Sequence, residues 1–312
     1  MNHNYKNKIA ITTGDPNGIG AEITIKALRS LQLPCEEVVL VSNKDILNYY
    51  GGKDIVSQYE IIEIPYNLAD IQPGKITKSA GEFSFQSLKK VCELAPKAIV
   101  TAPVAKNALH LAGHKFNGQT EVLQSFLAHE GQLAEMLFVA DNFRVLLLTR
   151  HCALKDISLT KDVVITKVKN LVETFKTHFN IEQPKFALCG FNPHSGEDGI
   201  LGSEEQEILI PAVKELQAHG INITMPLPAD TLFVKAAKHY YNNEKDEYDC
   251  YIANYHDQGL IPIKTVAGDK TVNTTIGLDI IRTSPGHGTA FDIAGKNIAD
   301  AAGMIAAIKA VI

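Results

Sequence analysis

The sequence predicts an α/β fold: two α/β/α domains with a cleft between them. Three observations predict it. Apolar runs of strand length alternate with longer amphipathic segments along the chain. The run from Val145 to Leu148 is apolar at every position, as a strand covered by helices on both faces must be. Finally, 312 residues are enough to divide into about two domains.

In order, strands are expected over 8–13, 38–42, 59–64, 98–101, 136–140, 144–149, 185–189 and 250–254. Helices are expected over 21–31, 121–127, 161–178, 203–216, 231–241 and 299–311, and most remaining segments between strands also look helical. Ser203 followed by Gln206 fits a capping box. Repeated strand-to-helix connection favours mainly parallel sheets. No flexible linker marks a boundary, so the division is placed from the pattern: 1–100 with 265–312 as a discontinuous first domain, and 101–264 as the second.

The composition excludes several classes. A net charge of −5, from 30 basic and 35 acidic side chains, and the lack of a Lys/Arg tract give no reason to expect nucleic acid. No stretch approaches the roughly 20 apolar residues that span a bilayer. The polar start, residues 1–8, is followed by too short an apolar run for a signal peptide. Five scattered cysteines without a C-x-x-C pair suit reduced thiols in the cytoplasm. Cys152, beside His151, is better explained as a small buried hydrophobe than as a nucleophile or a fourth ligand.

Three histidines follow apolar runs that read as buried strands: His151 in Thr149-Arg150-His151, His194 in Asn192-Pro193-His194-Ser195-Gly196-Glu197, and His256 in Tyr255-His256-Asp257-Gln258-Gly259. Loops at the carboxyl ends of parallel strands converge although distant in sequence, and neutral imidazoles suit zinc and its neighbours. With eleven histidines in the chain, any one alone is weak support.

Other stretches carry polar chemistry. Gly14-Asp15-Pro16-Asn17-Gly18-Ile19-Gly20 stands where a dinucleotide loop would, but it lacks G-x-G-x-x-G and Pro16 removes a donor, so it is read as shaping the cleft. Thr101 to Lys106 follows a strand, and Gly118-Gln119-Thr120-Glu121 opens a helix whose free amides suit an anion; capping alone explains it equally well. Lys264, Asn273 and Arg282 lie among apolar neighbours and could hold phosphate or carboxylate, with internal ion pairs as the alternative.

His287-Gly288-Thr289-Ala290-Phe291-Asp292-Ile293-Ala294-Gly295-Lys296 resembles the H-G-[ST]-A-x-D-I-A-G-K loop of the isocitrate and isopropylmalate dehydrogenases. Over nearly its whole length the chain resembles the 4-hydroxythreonine-4-phosphate dehydrogenases of vitamin B6 synthesis, relatives of that group. The shared motifs run in the same order: G-D-P-N-G-I-G at Gly14, T-A-P-V-A-K at Thr101, N-P-H-S-G-E at Asn192, L-P-A-D-T at Leu227, Y-H-D-Q-G at Tyr255, V-N-T-T-I-G-L at Val272 and I-R-T-S at Ile281.

The resemblance implies an isocitrate/isopropylmalate dehydrogenase-like fold. His151, His194 and His256 become metal ligands, zinc first and magnesium or cobalt next. Gln119, Thr120, Lys264, Asn273 and Arg282 become substrate contacts. His287, Gly288, Thr289, Ala290 and Asp292 contact NAD or NADP. It also implies a homodimer, with the active site at the interface and one histidine supplied by the partner. The implied reaction oxidises the secondary alcohol of 4-phosphohydroxy-L-threonine to a β-keto acid that decarboxylates to 3-amino-2-oxopropyl phosphate, the metal aiding alcohol deprotonation and enolate formation.

Asp230, Asp257 and Lys106 are candidate general bases, with Lys264 a further one, and none is chosen. One departure stands out: the family reads G-H-T-E where this chain has Gln119, which can neither carry a positive charge nor shuttle a proton. That leaves open another substrate for the same chemistry, such as 4-phosphothreonate, 4-phosphoerythronate or an aromatic cis-dihydrodiol acid. It also leaves open a catalytically silent binder of metal or phosphate ester. A zinc hydrolase is disfavoured by the cofactor-like loop.

Overall fold

The computed structural model describes residues 5–312; residues 1–4, at the head of the polar amino terminus, lie outside it. The described residues form two compact units, those up to 134 with 272–312, and residues 135–271.

The first unit opens with β1 (Ile9–Thr12), α1 (Gly20–Leu31), β2 (Val38–Ser42), α2 (Lys44–Tyr49), α3 (Lys53–Gln58), β3 (Glu60–Glu63), α4 (Lys78–Leu94), β4 (Ala98–Thr101), α5 (Lys106–Leu111) and α6 (Gln119–Leu127). The second unit follows with β5 (Glu135–Ala140), β6 (Phe143–Leu147), α7 (Lys161–His178), β7 (Lys185–Leu188), α8 (Ile210–Ala218), β8 (Asn222–Ile223), α9 (Ala229–Asn242), β9 (Cys250–Ala253) and α10 (His256–Ala267). The chain then returns to the first unit with β10 (Val272–Ile276), β11 (Arg282–Pro285) and α11 (Ala302–Lys309).

In the first unit the strands run in the order β3-β2-β1-β4-β11-β10, parallel except for the antiparallel β10/β11 pair. Alternation along each strand sends side chains to opposite faces. Ile9, Ile11, Leu40 and Val100 pack with Ile23 and Leu28 of α1 and Met304 and Ile308 of α11, while Ala10, Val39, Val41 and Ile99 pack with Phe83 and Leu88 of α4 and Val122 and Leu123 of α6. Buried Glu22 on α1 accepts from Lys26 and from the Ala299 amide, which ties the returning segment to the first helix.

In the second unit the order is β5-β6-β9-β7-β8, with β5/β6 antiparallel and the rest parallel. Leu232 and Phe233 of α9 and Leu260 and Ile263 of α10 cover one face against Val145, Leu147, Tyr251 and Ala253. On α7, Phe175 meets Phe186 of β7 edge to face at 5.4 Å. A buried Glu135–Lys167 ion pair ties α7 to the start of β5.

Several expectations change. Residues 101–134 belong to the first unit rather than the second, because α5 and α6 pack on α4; residues 265–271 stay with the second, as they hold the end of α10 and the 3-10 turn Gly268–Lys270 that packs on it. The capping box at Ser203 and Gln206 does not form: the segment begins with a π-helical turn, Glu205–Leu209, preceded by Glu204, which caps nothing. Tyr255-His256-Asp257-Gln258-Gly259 is the start of α10 rather than an open loop, and Val272–Ile276 and Arg282–Pro285 are strands.

The α4–α5 contact is unusually close. A Cβ on Gly81 would sit 1.9 Å from the Ala108 carbonyl oxygen. Alanine is favoured over glycine in a helix by about 1 kcal/mol, but overpacking against backbone costs about 1–3 kcal/mol, so the clash wins. Gly81→Ala should therefore lower the thermal midpoint followed by circular dichroism; an equal or higher midpoint would show that α5 moves away freely.

Candidate active site

In the first unit the polar residues gather around the end of β4. Arg282 opens β11 beside it and is 2% exposed. Its Nε and Nη2 donate to Thr101 Oγ1 at 2.8 and 2.6 Å, and Nη1 to Thr275 Oγ1 at 3.4 Å. The register pairs Thr275 with Arg282 and Asn273 with Ser284, so these four side chains share one face. Asn273 Oδ1 is buried without a hydrogen-bond partner among the described residues. Burial pushes the guanidinium pKa down to about 9, with Glu121 pulling it back, so Arg282 stays charged at neutral pH. Its neighbours within hydrogen-bond reach are hydroxyls; among the described residues no carboxylate forms an ion pair with it.

Gln119 and buried Thr120 open α6, whose first amides are free of intrahelical partners. Gln119 Nε2 donates to the Ala102 carbonyl at 3.2 Å. A carbonyl only accepts, so this bond fixes the amide orientation and leaves Oε1, buried and unpartnered among the described residues, as an acceptor. Lys106, exposed, begins α5.

The Gly14–Gly20 loop adjoins the 287–296 loop. Ile19 N donates to Thr289 O at 3.0 Å, and a Cβ on Gly18 would lie 3.0 Å from Thr289 Cβ, so glycine lets the two loops touch. Within the first of these loops Asn17, fully buried, joins it to the 72–77 segment. Its side chain accepts from Gln72 N at 2.7 Å and donates to Lys75 O and Thr77 Oγ1, while its carbonyl accepts from Gly74 N. His287 bonds its neighbour Gly288 through Nδ1 at 3.0 Å, Ala290 is left-handed (φ 43°), and Gly288 and Asp292 are exposed. The expected cofactor contacts thus lie on one shaped loop, buttressed by the first helix turn.

In the second unit β6, β9 and β7 are parallel neighbours, so their carboxyl ends align. His151, His256 and His194 follow these three ends. His151 and His256 come together, ring centroids 5.5 Å apart, at a cavity of about 270 Å³ that Cys152 and Tyr255 also line. His194 stands apart from that pair: among the described residues no group of three or more His, Cys, Asp or Glu side chains is placed to hold a metal ion. The donor chemistry nonetheless fits one. Asp257 Oδ1 engages His256 Nδ1 at 2.7 Å and Glu197 Oε1 engages His194 Nδ1 at 2.6 Å, so each ring keeps Nε2 for a ligand role in the carboxylate–histidine pattern of metal sites. The Glu197 carboxylate also raises the His194 pKa from its ordinary value. Cys152 is exposed, so burial does not account for it.

Two amides that the sequence did not single out lock these strand ends. Gln258 on α10 accepts from Asn254 N at 2.7 Å and donates to Gly190 O at 2.7 Å; Asn254 Nδ2 donates to Cys189 O, and Thr149 Oγ1 donates to Asn254 O. Asp230 sits in the first turn of α9, exposed, its Oδ1 accepting from Thr231 N, near enough to His194 to act on its charge. Lys264 is exposed on α10. The His194 loop is strained: His194, Ser195, Gly196, Glu197 and Asp198 are all left-handed, at about 1–2 kcal/mol for each non-glycine residue.

A model of the family described as pyridoxal phosphate biosynthetic protein PdxA matches residues 10–311. A 4-hydroxythreonine-4-phosphate dehydrogenase of Sulfurihydrogenibium sp. (strain YO3AOP1) is 38% identical over 97% of this chain and 96% of its own length. A Salmonella typhi protein named provisionally a D-threonate 4-phosphate dehydrogenase is 36% identical over 96% and 97%. The crystal structure of 4-hydroxythreonine-4-phosphate dehydrogenase from Klebsiella pneumoniae superposes with a TM-score of 0.84 at 32% identity, covering 98% of each chain. A beta-decarboxylating dehydrogenase from Thermococcus kodakarensis, at 16% identity and a TM-score of 0.51 over 96% and 80%, shares the fold alone.

Asp15, in the Gly14–Gly20 loop, is fully buried; Oδ1 accepts from Asn17 N at 2.9 Å and Oδ2 has no hydrogen-bond partner among the described residues. Burial pushes its carboxyl up to about 6, against the opposing Asn17 and Ala105 amides. The folded value lies above the unfolded one, so the protonated acid is favoured in the fold. Its stabilisation is present at low pH and is lost as pH rises from about 4 to about 6. At about 1.4 kcal/mol per pH unit the loss is about 3 kcal/mol. Asp15→Asn should remove this slope. The stability of the variant relative to the parent, from denaturation at about pH 4 and about pH 7.5, should rise with pH; a difference independent of pH would refute the assignment.

Proposed function

The chain belongs to the PdxA family of pyridoxal phosphate biosynthetic proteins, dehydrogenases of vitamin B6 synthesis, and from that premise we propose that it oxidises 4-phosphohydroxy-L-threonine with NAD or NADP, in a metal-dependent reaction followed by decarboxylation to 3-amino-2-oxopropyl phosphate. The observation that supports a phosphorylated substrate is Arg282: a buried cation, hydrogen-bonded among the described residues only to hydroxyls, and within electrostatic reach of Glu121 in the first turn of α6.

In this reading Arg282, Thr120 and the first amides of α6 bind the phosphate, and Asn273 accepts a substrate donor through its unpartnered Oδ1. Lys264 is a further substrate contact. The Thr289–Ala290 turn, braced by Ile19, orients the nicotinamide cofactor through its adenosine end, together with His287, Gly288 and Asp292. His151, His256 and His194 hold a divalent ion, zinc first. Bound there, the cofactor and the ion supply a hydride acceptor and Lewis acidity toward the alcohol oxygen. Asp257 and Glu197 keep the imidazoles in the tautomer that presents Nε2. A second copy of the chain supplies the third histidine, since among the described residues of one chain His151 and His256 come together without His194. The five free cysteines suit a reducing, cytoplasmic setting; among the described residues no helix is long and apolar enough to cross a membrane.

A second substrate is favoured by one residue. Gln119 offers a fixed neutral acceptor where the family resemblance leads one to expect histidine, and the Salmonella typhi relative is named for D-threonate 4-phosphate. The decisive assay follows reduced nicotinamide with each phosphorylated acid, before and after chelation. Chelator-sensitive turnover of 4-phosphohydroxy-L-threonine supports the first reading; turnover of 4-phosphothreonate alone supports the second. No turnover of either, without NAD or NADP binding, sinks both.

Arg282→Met should lower kcat/KM for the phosphorylated substrate roughly 10- to 100-fold, the equivalent of about 1.5–3 kcal/mol for charge-assisted hydrogen bonds. An unchanged kcat/KM in a folded variant would move the phosphate elsewhere.

A further inference from the structure

We propose that Glu205 is a positioning residue for the His194 loop: its buried carboxylate grips Asn192 and thereby holds the left-handed run that presents His194 Nε2. For metal binding, the proposal rests on the reading of His194 as a ligand.

The run from His194 to Asp198 has little to hold it from within. Its own backbone bonds are Ser195 N to Asn192 O at 3.1 Å, Ile200 N to Glu197 O at 3.1 Å and Leu201 N to Gly196 O at 3.0 Å, and among the described residues its one side-chain bond within the run joins His194 Nδ1 to Glu197 Oε1 at 2.6 Å; these close turns but do not favour left-handed backbone at four non-glycine residues. The external hold enters at Asn192, directly before Pro193. Glu205 Oε1 accepts from Asn192 N at 2.7 Å and Oε2 from Asn192 Nδ2 at 2.9 Å, so one carboxylate takes both the backbone and the side chain of that residue. Glu204 Oε2 takes the other Nδ2 hydrogen at 2.6 Å, which uses the whole donor capacity of the amide.

The loop is built around this grip. A Cβ on Gly196 would lie 2.7 Å from Glu205 Oε2, and one on Gly202 would lie 2.3 Å from Asn192 Nδ2. Both glycines therefore let backbone close over the clamp. Glu205 is 1% exposed and is the first residue of the π-helical turn that leads into α8. Such turns carry an extra residue and recur at functional sites. A buried carboxylate satisfied by amides alone is a poor device for stability, which apolar packing serves better. Its two oxygens are spent on the geometry of Asn192, two residues from His194.

The test uses the full-length protein and two variants, Glu205→Gln, which keeps the shape but sets one donor against another, and Asn192→Ala. Histidine-ring ¹H–¹³C NMR, assigned with His194→Ala, His151→Ala and His256→Ala, reports the loop without metal; cobalt(II) affinity by chelator competition reports the ligand role. The expected result is a displaced or broadened His194 signal with those of His151 and His256 unmoved, and cobalt affinity lower by roughly 10- to 100-fold, as for residues that orient metal ligands. Wild-type His194 signals and affinity in either folded variant would overturn the proposal, as would equal displacement of all three rings, which marks general loosening. If His194→Ala leaves cobalt affinity unchanged, the metal reading fails, and the ring signal still decides whether Glu205 holds the loop.

Discussion

Parallel strand pairing is the constraint on which both units depend. A parallel ladder forces each strand's return across a face of the sheet, so helices cover both faces and the carboxyl ends of neighbours align at one edge. In the second unit that brings the segments after β6, β9 and β7 side by side. In the first it sets the 14–20 loop beside the 101–106 segment, where Asp15 N bonds Pro103 O. The antiparallel β10/β11 pair adds what a parallel crossover cannot: two adjacent strands turned so that Asn273, Thr275, Arg282 and Ser284 line one face.

Alignment alone does not fix loops, and the structure uses neutral amides for that. Asn17, Asn192, Asn254 and Gln258 each hold backbone or carboxylate groups from other segments. An amide carries donors and an acceptor together and needs no counter-charge when buried, so it can bridge chain segments without the desolvation cost of an ion. Arg282 works differently. A charge kept in the interior whose hydrogen-bond partners among the described residues are hydroxyls gains little for stability, and its value lies in what it attracts.

Much of this was legible in the sequence, for physical reasons that also explain the rest. Core strands such as Val38–Ser42 and Ala98–Thr101 are continuous apolar runs, and an amphipathic helix such as α7 repeats its apolar residues at helical spacing. Strands β10 and β11 did not read as strands because their polar residues face inward to one another, and α10 was hidden by Gly259 and Pro262. The division at residue 134 rather than 100 depends on α5 and α6 packing against α4, which no local pattern encodes. Arg282 stood out as a cation among apolar neighbours. Thr101, its main partner, lies 181 residues away; its motif stood out, but nothing local links it to Arg282. Asn17 and Gln258 were equally silent, since an amide has no meaning until its partners, 55 to 68 positions distant, are known.

The junction at Asn17 has one more consequence. Loops normally lose conformational entropy when something docks on them, and that loss subtracts from affinity. Here the 14–20 and 71–77 segments are cross-bonded through one buried side chain, and the 287–296 loop is joined to the first of them by Ile19. The surface they make is ordered in advance. A molecule that settles against it meets a preorganised receptor, so its affinity follows contact chemistry rather than the cost of taming three mobile loops.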